Sequence, residues 1–236
     1  MPIFANRTIL VTASIVASLF CSTMATAVSP NVIISEIFPR GTGQNFDPYA
    51  HDWVELYNQS DESVDMSNWS LQYAAATSGG FTISNLVTFH GGAVIPAKGF
   101  FLIELATLNI TSTEQPQADM SRIKFQLHPD GGRLALVSSQ NAIGSTYTHP
   151  SVVDLVGYHS LAISYEGAGP APMLPAGQLD KSIQRTRNYV SPTDYVVWRD
   201  HDNNATDFIV EYKTRSNTQS TTRNHVPVAL SAFSLE

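Results

Sequence analysis

The sequence predicts an all-β protein, an antiparallel sandwich or barrel, on three observations. Short runs rich in β-branched and aromatic residues recur along the chain, and clusters of Gly, Pro, Asp and Ser separate them. No run carries the apolar period of about 3.6 residues that a competing helix would need. At 236 residues the chain is within the range of one all-β domain.

The runs are, in chain order, NVIISEIF (31–38), DWVELYN (52–58), WSLQYAA (69–75), FTISNLVTF (81–89), GFFLIEL (99–105), RIKFQL (122–127), GRLALVSS (132–139), VVDLVGYH (152–159), KSIQRT (181–186) and DFIVEY (207–212). In DWVELYN, Trp53, Glu55 and Tyr57 fall on one face and Val54 and Leu56 on the other, the period of two that turns one face to a core. QSDES then reverses the chain, because Ser, Asp and Glu bond to local backbone and tolerate turns. Val64 and Met66 resume the alternation, and Trp69, Leu71 and Tyr73 share a face of the next strand, with Trp69 as the expected core anchor. SGG, HGG, PAKG and PDGG punctuate the middle of the chain, and GAGPAP reads as a rigid surface loop whose prolines remove the backbone donors a phosphate cradle needs.

These residues bear a likeness to a family. VIISEIF, DWVELYN, VDMSNWSLQYA, IPAKGFFLIEL, GRLALVSS and VVDLVGY, taken in succession, resemble lamin tail domains, in the form carried by exported bacterial proteins. The resemblance spans residues 31 to 210, and its most specific parts are VELYN with the following VDMSNWSLQ, and the strand entry IPAKGFFLI. It implies an immunoglobulin-like antiparallel β-sandwich. It also implies a non-enzymatic module of the kind attached to exported nucleases, other hydrolases or cell-surface proteins.

The chain begins with a short n-region containing Arg7, an apolar run from Ile9 to Phe20 and the small-residue stretch Ala25, Thr26, Ala27, which reads as a signal peptide over residues 1–27 cut before Val28. The apolar run is shorter than the roughly 20 residues of a membrane span. Cys21, the sole cysteine, is lost with the peptide, so no disulfide or thiol chemistry is expected afterwards. The sandwich is expected over 28–211, and residues 212–236 as a polar tail, flexible through Asn224. Loss of Arg7 moves the net charge from −7 to −8, leaving 12 basic and 20 acidic residues. That balance, without clustered Lys and Arg, argues against nucleic acid as a partner. The expected workplace is extracytoplasmic and the partner a protein or an envelope or matrix ligand. The other reading is an exported hydrolase, or its accessory subunit, acting on nucleic acid or glycan.

Catalytic signatures are weak. His51, Asp52, Glu55 and Asp61 cluster in sequence, yet alternation sends Asp52 and Glu55 to opposite faces, and the seven histidines show neither HExxH nor HxH spacing. GxSxG is absent. Glu36, Glu55 and Glu104 are strand acids that distant pairing could bring together, although solvated or hydrogen-bonded strand faces are their commoner use. The strongest chemistry lies in RDHDNNATDF and just beyond it, where Asp200, Asp202, Asn204 and Asp207, with Glu211 at the twelfth position, offer oxygens to a calcium ion. Ala205 replaces the glycine of an EF-hand loop, so only a looser site, or a polar turn bonded to its own backbone, fits the segment. Within the mature chain, sequons stand at Asn58, Asn68, Asn109 and Asn204, with Asn68 a poor acceptor beside Trp69.

Overall fold

A computed structural model describes residues 31–39, 51–77, 79–106, 117–178, 180–190 and 195–217. Their strands are β1 (Val32–Phe38), β2 (Asp52–Asn58), β3 (Val64–Asp65), β4 (Ser70–Ala75), β5 (Leu86–Thr88), β6 (Val94–Ile95), β7 (Phe100–Ala106), β8 (Met120–Ile123), β9 (Gly132–Val137), β10 (Val152–Tyr158), β11 (Lys181–Arg185), β12 (Arg187–Val190), β13 (Tyr195–Trp198) and β14 (Phe208–Tyr212). A six-stranded sheet, ordered β14-β11-β1-β2-β7-β8, faces a four-stranded sheet, ordered β10-β9-β4-β5. β12 pairs with β13 and β3 with β6 as small separate ribbons. Among the described strands pairing is antiparallel except between β7 and β8, which run parallel.

The core between the sheets follows from the period of two. Leu56 and Val54 of β2 stand opposite Phe101 and Ile103 of β7, with Ile34 and Ile37 of β1 beside them, and all are buried. Leu71, Tyr73, Leu134 and Leu136 close on them from the other sheet. A bulge between Ile34 and Glu36 shifts the β1–β2 register, so Glu36 stands opposite Glu55.

Several expectations change. β2 was expected to face the core on one side, but both its faces are buried, since β13 and residues 213–217 cover the outer one. Trp198 packs there on Tyr57, with Ile33 and Phe100 completing a small cluster. The anchoring indole is Trp53, at 0% exposure and stacked on Phe38 at 5.6 Å, whereas Trp69 sits half-buried in the turn before β4. In FTISNLVTF a single bridge at Phe81 precedes a 3-10 turn (Ile83–Asn85) and only β5 is a strand, and in RIKFQL the strand ends at Ile123. Asn204–Asp207 form one helical turn, α1. Residues 213–217, expected within the flexible tail, lie against the large sheet; those beyond 217 are outside the described residues.

Candidate functional site

Two clusters of buried carboxylates result. The first lies on the outer face of the large sheet, where Glu36, Glu55 and Glu104 project from β1, β2 and β7 at 1%, 0% and 4% exposure. Glu55 accepts from Ser35 Oγ at 2.7 Å and from the Ser216 amide at 2.6 Å. Glu36 accepts from the hydroxyls of Ser182 and Thr214, and from the Thr214 amide at 3.0 Å. Arg215 donates to Glu104 at 2.6 Å and lies over the Trp53 ring. Residues 213–217 therefore form a strap whose donors match the row of acids beneath it. Burial, with the neighbouring Glu36 charge, pushes the Glu55 carboxyl up to about 8, and burial raises Glu36 as well. His51 is buried beside this row, Nδ1 3.3 Å from Glu104 Oε2, in a geometry that makes no hydrogen bond. Asp52 points the other way and accepts from the Leu127 amide at 2.6 Å, so it does not meet Glu55. Asp61 lies apart, on the surface against Lys98.

The second cluster joins the two sheets at the β10–β11 end. Arg185 of β11 grips both oxygens of Asp154 on β10 at 2.9 and 2.8 Å, and donates to the Ile34 carbonyl at 3.1 Å, while Asp154 accepts from the Ile34 amide at 2.6 Å. The pair thus satisfies both backbone groups of Ile34 beside the bulge. Arg185 also donates to Asp200 at 2.9 Å and lies 3.8 Å from Asp207. Burial pushes Asp154 up to about 6, with Arg185 opposing it. At the rim stands Glu166, which the sequence did not single out. Burial and the charge of Asp154, with Asp200 and Asp202 adding, push it up to about 9, against the pull of Arg185.

The five expected oxygen donors do not converge. Asn204 is spent internally: Oδ1 accepts from the Gly157 and Glu166 amides, and Nδ2 donates to the Leu155 carbonyl and to Glu166. Asp207 accepts from the His201 and Asn203 amides, as a polar turn would. Glu211 stands opposite Ser182, whose hydroxyl reaches Glu36 on the outer face, so it lies on the far side of the sheet. Asp200 and Asp202 do come together, with Glu166 as their third. Of the sequons, Asn58 and Asn204 are buried with their amides bonded, Asn109 is outside the described residues, and Asn68 is exposed. A cleft of about 380 Å³ opens beside β8, lined by residues including His90, Phe101, Asp119 and Arg122, but Asp119 is tied to the Leu102 amide at 2.8 Å. No helix among the described residues is long and apolar enough to cross a membrane.

Two facing sheets, nearly all antiparallel and closed on an apolar core, define an immunoglobulin-like sandwich. The chain belongs to the Lamin Tail Domain family, whose profile matches residues 25–159, more than half of it. None of the curated proteins matches it. Among solved structures it is similar to a DUF4876 family protein from Bacteroides thetaiotaomicron VPI-5482, at 13% identity over 84% of this chain and 74% of that one, with a TM-score of 0.50; that likeness is one of fold.

Proposed function

We propose that the protein is an exported, non-enzymatic binding module that engages a protein or matrix ligand outside the cytoplasm through the loop carrying Leu161, Ile163 and Tyr165. The alternation in that loop carries the reading. Ala162 and Ser164 are buried, while Leu161, Ile163 and Tyr165 are exposed at 52%, 53% and 38%. A segment made only to cover the core would turn its apolar residues inward; this one is inverted. The backbone that presents them is fixed. The Ile163 amide donates to the Ala76 carbonyl at 3.0 Å, and Gly157 admits the close approach of Ser164, whose carbonyl oxygen would lie 2.3 Å from any Cβ there. Aromatic and aliphatic groups held on a rigid backbone suit recognition at low entropic cost.

The absence of catalysis is supported by the state of the strand acids. Glu36, Glu55 and Glu104 are sealed under the strap and bonded to it, where substrate could not reach them. Export is supported by the n-region, apolar run and Ala25-Thr26-Ala27 stretch. In the test, purified protein is incubated with the envelope fraction and spent medium of its producer, beside an Ile163→Asp/Tyr165→Asp variant. Retention by the native chain alone, with both melting alike, is expected, and so is a secreted product that begins near Val28. Hydrolysis of nucleic acid or glycan that disappears in Glu55→Gln would replace the reading with that of an exported hydrolase.

A further inference from the structure

We propose that Glu166, Asp200 and Asp202 form a calcium site that ties the 161–168 loop to the segment after β13. One carboxylate oxygen from each of the three lies within 4.8 Å of the others. Oxygens that share one ion at calcium's bond length of about 2.4 Å stand at most roughly 4.8 Å apart, so the three are close enough to share one.

A second observation is independent of that grouping. The Asp200 side chain is only 7% exposed, and its Oδ1 accepts from Arg185. Its Oδ2 is sealed from solvent and accepts no hydrogen bond. A buried carboxylate oxygen left without a donor is costly, and a cation is the partner that a site made of further carboxylates can supply.

The scaffold holds the three acids in place before any ion arrives. Asn204 receives the Glu166 amide at 3.2 Å and donates to Glu166 Oε2 at 3.2 Å, and the Leu155 amide reaches Oε1 at 3.2 Å. Gly167, at φ +73°, brings the loop against Asn203, where a Cβ would come within 2.6 Å of that residue. Each Glu166 oxygen keeps a lone pair beyond its one hydrogen bond. Glu166 and Asp202 are half-exposed, so water can reach the site from their side and complete the six to eight oxygens calcium takes, while the Asp200 carboxylate stays inside. Hard oxygen donors of this kind do not suit softer transition metals.

The test titrates calcium chloride into the chelator-treated protein by calorimetry, and repeats it with terbium chloride, read by luminescence sensitised through Tyr165 and Trp198. Variants are Glu166→Gln, Asp202→Asn and Glu211→Gln, each checked for native circular dichroism. Saturable binding at about 10⁻⁴ to 10⁻³ M is expected, weakened roughly tenfold or more by Glu166→Gln and Asp202→Asn and unchanged by Glu211→Gln. Absence of saturable binding by the native chain up to about 10 mM calcium overturns the proposal. So does equal weakening by Glu211→Gln, which would mean diffuse attraction to an acidic surface. Because the Glu211→Gln and native arms stand alone, the proposal stays open to refutation even if the other variants fold poorly.

Discussion

Glu36 and Glu55 on one side of the molecule and Asp154 on the other are equally buried yet neutralised by different means. Around Asp154 a guanidinium does the work, and its pull opposes burial, so that carboxyl rises only to about 6. Around Glu36 and Glu55 the donors are hydroxyls, amides and a glutamine, and Glu55 rises to about 8. A proton takes the place that Arg185 fills elsewhere. The difference teaches that what covers a strand acid decides its charge: a cross-sheet arginine keeps it ionised, a backbone strap does not.

Breaking the arginine-held cluster gives the largest expected effect. Arg185→Ala leaves Asp154 buried without its counter-charge and should cost about 3 to 5 kcal/mol in chemical denaturation. Arg185→Met with Asp154→Leu should recover much of that loss, because the penalty is that of an orphaned charge. Ending the chain after Tyr212 breaks the other cluster. It removes the Thr214 and Ser216 amide donors and the Arg215 cover over Trp53. At about 1 kcal/mol per hydrogen bond the loss should be roughly 2 to 4 kcal/mol, with Trp53 emission moving to the red.

A pH series sharpens the contrast. Unfolded, Glu55 gives up its proton near the ordinary 4.5; folded, it keeps it to about 8. Between those values the native state binds the extra proton, so stability falls as pH rises, fully present below 4.5 and gone once pH passes about 8. One such proton gives a slope of at most about 1.4 kcal/mol per pH unit. Glu55→Gln should flatten this part of the melting profile. Smallest of all, Glu211→Gln should change stability by less than about 0.5 kcal/mol, since the side chain is exposed on an edge strand.

How much of this the sequence discloses depends on the distance over which each contact acts. The strand DWVELYN and the opposite facing of Asp52 and Glu55 are local consequences of a period of two, and the structure has both. Burial of both faces of β2 is not local. It comes from Ser216, 161 residues away from Glu55, in a stretch whose polar composition reads as tail. Trp69 and Trp53 both sit in alternating runs, and side-chain size alone does not tell which one a distant segment will cover. The β12–β13 ribbon lies outside the runs read as strands, although Tyr189 and Val190, then Tyr195 to Trp198, flank a Ser-Pro turn signal. Asp200 and Asp202 could be found by spacing, but Glu166, an isolated acid in a glycine-rich loop, meets them only through the clamp of Asn204, 38 residues on.

The most direct test follows the glutamate side-chain carboxyls by carbon NMR through a pH titration, in the full chain and in the chain ending after Tyr212. With the strap in place, Glu55 should titrate near 8; without it, water reaches the carboxyl and the midpoint should fall toward 4.5. A Glu55 that titrates near 4.5 in the full chain would contradict the claim that a proton, held under the strap, neutralises this face of the sandwich.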